Sequence, residues 1–440
     1  MSDGPIVLAP SFPTAGAATD GQSIYVVEAS RALAAHLGRD LTVIALRLGD
    51  EAPFEEAPGA RIHRVDPPRP IAGPFDLYAP ATYRRTFEAF AHAALARVPA
   101  RAPLWLHGYE LGRLARIAHR RGHRVVGVLH YLLAQETECY LASAREPFRR
   151  AVMGPLGPVA ELVPKRLGRA AVHLASRSAR LARRGPWPTL VRHQLLKLAD
   201  ERALIRACDV TVGVSDGFAA TIRAHYPGAK VESCLAGAPR RPVADWTPGA
   251  RLRLIAVGRP TPQKGWDYLV EALERLEPGP LAERLDVSVV GGAETWAGPH
   301  SAFGSRLRER FERLRRVRVR LLGRMSREEV LDAFAAHDAL VHPSDYEPFG
   351  LVIAEAMAAG CPVIASDVDG PRSLIRGAEG WLVPFADRQR RGAALAEAIA
   401  RCARLDAEAW RAHRAAAHRR ALELTWESCA TAHARWLGEL

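Results

Sequence analysis

The feature that most constrains this chain is an alternation of short apolar runs with amphipathic segments, which occurs twice along the sequence. The first series ends before Ala236–Gly249, a segment dense in proline and glycine, and the second begins at Leu252. Such alternation is typical of α/β domains, and such a segment is typical of a linker. The sequence therefore predicts two doubly wound, Rossmann-like α/β domains that face a cleft, where sheets of this kind bind ligands.

The individual elements follow from apolar spacing. The predicted strands are Ile6–Ala9, Leu41–Leu46, Leu104–Leu106, Val125–Leu129, Val210–Val214, Leu252–Val257, Val287–Val290, Val317–Leu322, Ala339–His342 and Val363–Ser366. The predicted helices are Ser23–His36, Leu111–Arg120, Leu195–Ala207, Asp216–His225, Gly265–Leu276, Arg306–Leu314, Ser326–Ala336 and Leu351–Ala359, with further helical sequence over Arg391–Leu440. We expect an N-terminal domain over 1–240, a C-terminal domain over 250–420, and a C-terminal helix over 421–440 that packs back on the N-terminal domain.

Composition favours a soluble enzyme of the cytoplasm. Hydrophobic residues make up 48% and charged residues 25% of the 440 residues, and no apolar run is long enough to span a bilayer. The N-terminus lacks the basic and apolar regions of a secretory signal. The six cysteines are scattered without a CxxC pair, which indicates reduced thiols and argues against zinc. The alanine and arginine bias points to a high-GC bacterium.

The net charge of +13 favours anionic partners. Residues 145–193 form a basic stretch, with eleven Arg or Lys against two acids. This stretch is interpreted either as a solvated helical insertion in the N-terminal domain or as a surface for an anionic acceptor or a membrane. Nucleic acid is a third alternative, but only Phe148 and Trp187 supply aromatic rings for base stacking.

The strongest signal is the segment Pro343–Ala365, which follows one apolar run and opens a helix near Gly350. The start of a helix offers free backbone N–H groups and a positive dipole end, which suit a diphosphate. Glu347 lies before this helix and Glu355 lies within it, with seven residues between them. Because carboxylates accept hydrogen bonds from hydroxyls, the pair suits a ligand with two polyhydroxy parts, a ribose and a sugar.

A second segment, Val257–Asp267, also follows a predicted strand and opens a helix. Arg259 can contact a phosphate with two hydrogen bonds, and Lys264 adds a point charge. Together they would stabilise the charge that grows on a leaving diphosphate. The spacing differs from a Walker loop, and no Ser or Thr follows Lys264.

These two segments resemble the glutamate–seven–glutamate motif and the Gly-Arg-x-x-x-x-Lys-Gly loop of the family 4 retaining glycosyltransferases, which have the GT-B fold. The group most similar includes sucrose-phosphate-synthase-like, inositol-phosphate and phosphatidylinositol-mannosyl transferases. The resemblance is strong over about Leu252–Pro384 and thin over residues 1–235. It implies a catalytic Glu347 beside the donor sugar and a ribose bound by Glu355. It also implies that the donor sugar and phosphates meet the backbone of Phe349, Gly350 and Leu351.

Further positions carry weaker resemblance. Val287–Gly292 is similar to a turn that lets the donor approach, and Arg324 and Met325 are similar to a loop beside the nucleobase. Asp367 and Asp369 form an Asp-x-Asp pair, typical of a metal site in another glycosyltransferase fold. Their position after the donor helix argues against metal.

In the N-terminal half, Thr19–Leu33 resembles the family's glycine loop and first helix, with Asp20-Gly21 in place of two glycines. Gly21 is expected to bring backbone N–H groups to the donor diphosphate, and Asp20 to face the acceptor. His130, at a strand end, resembles the family's histidine that meets the donor sugar and is a second candidate for a catalytic role. His107 and Tyr109 are acceptor candidates.

Two departures from the family pattern bear on the acceptor. Leu235–Ala238 stands where the family often has Pro-Asn-Gly-Val, and the basic stretch replaces a shorter acceptor-side segment of many members. Separately, the starch-synthase form of the glycine loop, Lys-x-Gly-Gly, is absent, which argues against a polysaccharide synthase.

The resemblance implies a retaining transferase that needs no metal and no other cofactor. It would move a sugar from a nucleotide diphosphate donor to a small-molecule or lipid acceptor in metabolite or natural-product biosynthesis. The expected location is the cytoplasm, with peripheral contact at the inner membrane through the basic stretch. A sugar-nucleotide epimerase, a phosphorylase on the same fold, a catalytically silent scaffold and a nucleic-acid-binding protein are the alternatives.

Overall fold

The computed structural model describes residues 4–13, 20–71, 74–136, 189–243, 246–291 and 301–439. The chain divides into two compact units. The N-terminal unit comprises Met1–Val214, Phe218–Cys234 and Trp426–Leu440, and the C-terminal unit comprises Ser215–Gly217 and Leu235–Thr425. The C-terminal helix thus belongs to the N-terminal unit, and the chain passes between the units before and after Leu235–Thr425.

The N-terminal unit is built on an eight-stranded sheet in the order β3-β4-β2-β1-β5-β6-β7-β8. Its strands are β1 Ile6–Ala9, β2 Leu41–Leu46, β3 Phe54–Ala57, β4 Ala60–Val65, β5 Leu104–His107, β6 Val125–Leu129, β7 Val210–Gly213 and β8 Val231–Ser233. All neighbours are parallel except the β3–β4 hairpin. The strand order reverses at β1 and β5, which brings the loops after these strands to one edge of the sheet.

The C-terminal unit is built on a six-stranded parallel sheet in the order β11-β10-β9-β12-β13-β14. Its strands are β9 Leu252–Val257, β10 Leu285–Val290, β11 Arg318–Gly323, β12 Ala339–His342, β13 Val363–Ser366 and β14 Gly380–Val383. Here the order reverses between β9 and β12. The loops that follow these two strands therefore emerge side by side at the carboxyl edge, where such sheets bind ligands.

Helices surround both sheets. Their bounds are α1 Gly21–Leu37, α2 Pro74–Leu77, α3 Tyr83–Leu95, α4 Gly112–Arg120, α5 Thr189–Ala207, α6 Asp216–His225, α7 Trp266–Leu276, α8 Ser301–Arg313, α9 Arg327–Ala336, α10 Leu351–Ala358, α11 Asp369–Leu374, α12 Arg391–Cys402, α13 Ala407–Glu423 and α14 Trp426–Leu437. Within the described ranges, none is both long and apolar enough to cross a membrane.

The predicted fold class is confirmed, because both sheets are largely parallel and alternate with helices along the chain. Strands β1, β2, β6, β9, β12 and β13 have the predicted bounds. The sequence did not predict the β3–β4 hairpin, helix α3, or strands β8 and β14. Strand β3 reads Phe-Glu-Glu-Ala and is half exposed at the sheet edge, so it carries little apolar signal. Most of the basic stretch, through residue 188, lies outside the described residues.

Candidate active site

Two loops of the C-terminal unit meet at the carboxyl edge between β9 and β12. Gly265 has a left-handed backbone (φ 68°), and a Cβ added there would lie 1.9 Å from the Pro343 carbonyl oxygen. The Asp345 amide donates to the Gln263 carbonyl at 2.8 Å, and the Gln263 side chain donates to the Tyr346 carbonyl at 3.2 Å. The two loops that carry the predicted donor residues are therefore held together by backbone contacts.

Glu347 lies at the centre of this arrangement. Its Oε2 accepts from Lys264 Nζ at 2.7 Å and lies 2.9 Å from His342 Nε2. Burial alone would raise the pKa of Glu347, but Lys264 and His342 together lower it to about 2. Glu347 is thus a carboxylate over the whole neutral pH range, with a cation against one oxygen.

His342 ends strand β12 and is buried. Burial lowers its pKa, although Glu347 opposes the shift, so a neutral imidazole is favoured. Its Nε2 also lies 3.0 Å from Ser344 Oγ. The histidine therefore links the strand end to the loop that carries Glu347.

Asp345 anchors the same loop. Its carboxylate pairs with Arg391 and, at 3.2 Å, with Arg388, while Arg391 also donates to the Tyr268 hydroxyl at 3.0 Å. Burial raises the pKa of Asp345, and Arg391 and Arg388 oppose that shift. A largely buried acid between two cations fixes the backbone two residues before Glu347.

Helix α10 begins after Gly350, which has a left-handed backbone (φ 94°). The first turn of a helix leaves N–H groups without intrahelical acceptors and forms the positive end of the dipole. Leu351 is the first helical residue, and the preceding Phe349 is buried. The helix therefore begins four residues after Glu347, with the type of N-terminus that suits an anion.

Glu355 lies in the second turn of α10 and is buried. Its Oε1 accepts from Arg327 Nε at 2.8 Å, and burial raises its pKa against the opposing effect of Arg327. Arg327 is the first residue of α9. The proposed nucleobase residues Arg324 and Met325 precede the helix cap Ser326, Arg324 exposed and Met325 half-buried.

Arg259 differs from Lys264 in its surroundings. It is exposed and makes no ion pair or side-chain hydrogen bond within the described part of the chain. An exposed guanidinium beside the Lys264 loop is available to an incoming anion.

Of the two acids of the Asp-x-Asp pair, Asp367 is already paired with Arg372 at 2.7 Å.

In the N-terminal unit, two histidines from adjacent strands face each other. His107 ends β5 and His130 follows β6, and His107 Nδ1 lies 3.2 Å from His130 Nε2 with the rings stacked. His107 is fully buried. Burial lowers the pKa of His130 to about 3, with Asp20 acting against the shift. Both rings are neutral at neutral pH, so one must donate and the other accept.

Tyr109 belongs to a buried polar cluster beside this pair. Glu110 Oε1 accepts from the Tyr78 hydroxyl at 2.6 Å and from the Tyr131 hydroxyl at 3.1 Å, and Lys197 Nζ lies 5.9 Å from the centre of the Tyr109 ring. Tyr109 itself is buried. Motif comparison did not single out Tyr78 or Lys197, because they carry no family signature.

Asp20 caps helix α1. Its carboxylate accepts from the amides of Gln22 and Ser23, both at 3.0 Å, and from the Ser23 hydroxyl at 2.6 Å. Gly21, the first residue of the helix, is exposed. The amides that an anion would use at this helix start are therefore engaged by a side chain of the chain itself.

Comparisons with known proteins show which family the chain resembles. The family model described as "Glycosyl transferases group 1" matches residues 251–404, which hold the loops after β9 and β12 and helix α10. A D-inositol 3-phosphate glycosyltransferase of Geodermatophilus obscurus is 31% identical over 421 residues, covering 91% of this chain and 82% of that protein. A glycogen synthase of Mycobacterium tuberculosis is 34% identical over 187 residues, 41% of each chain.

Solved structures share the fold. A sucrose-phosphate synthase of Thermosynechococcus elongatus superposes with a TM-score of 0.72 at 23% identity, over 99% of this chain and 98% of that chain. The catalytic domain of starch synthase IV from Arabidopsis thaliana gives a TM-score of 0.64 at 15% identity, over 99% of both chains. These likenesses show the fold alone.

The fold and the site together define a nucleotide-sugar-dependent glycosyltransferase with the GT-B fold. The chain belongs to the group 1 glycosyltransferase family, in the branch that the sequence motifs indicated.

Proposed function

We propose that this enzyme is a retaining, metal-independent transferase of the cytoplasm that moves a sugar from a nucleotide diphosphate donor to a small-molecule or lipid acceptor. The observation that carries the proposal is the Lys264–Glu347 pair at 2.7 Å, in which Glu347 lies four residues before Leu351, the first residue of helix α10. Incubation with a panel of nucleotide sugars, followed by mass spectrometry, tests it through slow release of the nucleoside diphosphate. Release from none of the panel would contradict it.

The roles of the donor residues follow from their charges. Lys264, Arg259 and the α10 start supply positive potential for the diphosphate, which grows more negative as the bond to the sugar breaks. Glu347 stays ionised and accepts hydrogen bonds from sugar hydroxyls. Glu355 has lone pairs beyond the one that faces Arg327, so it can also accept from the ribose hydroxyls.

Retention is proposed from the resemblance to the family 4 retaining glycosyltransferases. Because the Glu347 carboxylate is paired with Lys264, we propose a direct transfer on one face of the sugar without a covalent glycosyl-enzyme. The acceptor hydroxyl attacks from the face that the diphosphate leaves, and a phosphate oxygen takes its proton. We expect the product to keep the anomeric configuration of the donor, as read from the NMR coupling constant of the anomeric proton. An inverted product would refute this mechanism.

We expect turnover to survive excess EDTA. The positive potential for the diphosphate comes from Arg259, Lys264 and the α10 start, while Asp367 is already paired with Arg372. The test compares the initial rates of transfer with and without EDTA, on enzyme purified without added divalent ions. Loss of turnover with EDTA, restored by magnesium or manganese, would transfer the role to a metal at Asp367 and Asp369.

The acceptor is proposed to be a polyhydroxy compound. A relative that is 31% identical is named for inositol 3-phosphate, which supports a cyclitol-like ring. In this chain, however, Asp20 occupies the amides of Gln22 and Ser23 that would bind a phosphate at α1. We therefore favour an acceptor without a phosphate at this position.

Removing the Asp20 carboxylate should open that helix start to anions. Asp20→Gly costs the helix only a few tenths of a kcal/mol, since glycine is tolerated at a cap. We expect the KM for a phosphorylated acceptor to fall about tenfold, the equivalent of ~1.4 kcal/mol, while the KM for the unphosphorylated analogue changes little. Equal shifts for both acceptors would show that the cap does not select against phosphate.

A surface role for the basic stretch over 145–193 also remains a proposal. Its charge suits an anionic acceptor or an anionic lipid surface, and salt would weaken either attraction.

The alternatives of an epimerase and a phosphorylase predict other products. An epimerase would change the nucleotide sugar without any acceptor, and a phosphorylase would need free phosphate.

A further inference from the structure

A buried cluster of soft ligands lies in the N-terminal unit, outside the catalytic residues. Cys234, Cys429 and His433 place their ligand atoms within 4.8 Å of one another, and all three residues are buried. In the described part of the chain this is the only group of three or more His, Cys, Asp or Glu side chains close enough to hold one ion.

The phenol of Tyr25 completes the cluster. Its hydroxyl lies 3.3 Å from Cys429 Sγ and 3.0 Å from His433 Nε2, and it is buried with them. Four potential donor atoms (two thiols, an imidazole and a phenol) thus meet in a small volume closed to solvent.

One buried polar atom of the cluster has no hydrogen bond. His433 Nδ1 is buried and has no hydrogen-bond partner, although the other ring nitrogen faces Tyr25. Buried polar atoms are nearly always satisfied, and an unsatisfied one calls for an explanation such as a bound ion or a particular chemical role.

The chemistry of the donor set is selective. Two cysteine sulfurs and a histidine nitrogen are the ligands that Zn²⁺ prefers, at about 2.3 Å and 2.0–2.1 Å, in tetrahedral geometry. In a tetrahedron with such bonds, neighbouring ligand atoms lie roughly 3.5–4 Å apart. The ligand atoms of Cys234, Cys429 and His433 lie within 4.8 Å of one another, which is close to that spacing.

The position of the cluster gives such an ion a structural consequence. Cys234 is the last residue before the chain leaves for the C-terminal unit, and Cys429 lies in the helix that begins at Trp426, where the chain returns. Tyr25 belongs to helix α1. An ion bound here would crosslink the segment that ends at Cys234 to helix α14, next to helix α1.

We propose that Cys234, Cys429 and His433, with Tyr25 beside them, form a structural site for a thiophilic divalent cation of the zinc class. The site is separate from the donor site, and the transfer chemistry needs no step from it. Cys234 and Cys429 lie 195 residues apart, so the spacing of the cysteines in the sequence does not reveal the site.

The first test uses the intact wild-type protein, expressed with zinc and purified without chelators or a metal-binding tag. Elemental analysis should find about one zinc per chain. Exchange into cobalt(II) should give the intense thiolate-to-cobalt charge-transfer absorption of a tetrahedral site. Protein that binds neither ion, or peptide mapping that finds Cys234 and Cys429 joined in a disulfide, would overturn the proposal.

A matched pair of variants locates the ion. Cys429→Ala should lose the zinc and the cobalt absorption, whereas Cys402→Ala, which removes another buried helical cysteine, should keep both. If both variants keep the metal, it is bound elsewhere and the proposal fails. Should Cys429→Ala fold poorly, the wild-type cobalt spectrum still decides, because it reports the sulfur ligands directly. Metal content is independent of turnover, so this result is separate from the fate of the proposed reaction.

Discussion

Replacing Lys264 with Met lowers kcat by about 10²–10³-fold, the typical loss when one group that stabilises developing charge is removed. The ammonium contacts Glu347 at 2.7 Å, and the neighbouring Gly265 lies directly against the Pro343 carbonyl of the loop that carries Glu347. Met keeps most of the apolar stem and removes only the charge. Steady-state rates with the preferred nucleotide sugar measure the loss.

Two further variants separate catalysis from folding. The single change leaves Glu347 as a buried carboxylate without its cation, which destabilises a protein. The double variant Lys264→Met/Glu347→Gln has no such charge and should fold well yet remain as slow as the single variant. Arg310→Met, which breaks the more exposed Arg310–Glu274 pair on the same unit, should keep normal turnover. Near-normal turnover in the double variant would remove Lys264 and Glu347 from the reaction.

Gly265→Ala should lower the melting temperature of the protein and nearly abolish turnover. The residue has φ 68°, where alanine is strained, and the new Cβ would lie 1.9 Å from the Pro343 carbonyl oxygen. Together these effects should cost about 2–3 kcal/mol, or roughly 5–10 °C for a unit of this size. The backbone of the Glu347 loop must also move, which displaces the donor residues.

Gly279→Ala is the matched control in the same unit. A Cβ at Gly279 meets its nearest atom, the Leu276 carbonyl oxygen, at 3.4 Å, an ordinary contact. Differential scanning fluorimetry and donor turnover should find this control close to wild type. Equal stability and equal activity of the two variants would show that the close approach of the two loops has no role.

The sequence predicted the fold where apolar runs are continuous. Strand β12 is buried throughout, and β9 is an apolar run that is buried at its centre, so their bounds follow from hydrophobicity. The β3–β4 hairpin lies at an edge with exposed residues such as Phe54. An edge strand that alternates between solvent and core gives a weaker pattern.

The candidate site was predictable only in part. Family motifs named Glu347, Glu355, Arg259 and Lys264, but the partners that set their charges come from pairings that a motif does not describe. His342 and Arg327 reach these glutamates because β12 and α9 end or begin nearby. Such contacts depend on three-dimensional packing.

The N-terminal half shows the same limit. Asp20 was expected to face the acceptor, and the structure engages it as the cap of α1. Asp is a favoured capping residue before a helix, so the local sequence could have predicted that Asp20 caps α1. The resemblance to the family's glycine loop led instead to an acceptor role.

The most direct test of the donor site is calorimetric titration of UDP, ADP and GDP into the wild-type protein and into the Lys264→Met/Glu347→Gln variant. We predict that at least one of these nucleoside diphosphates binds the wild type, and that the variant binds it at least about tenfold more weakly, which is ~1.4 kcal/mol. Equal affinity for both proteins would contradict the assignment of Lys264 and Glu347 to the donor, and binding of none would contradict the nucleotide diphosphate donor itself.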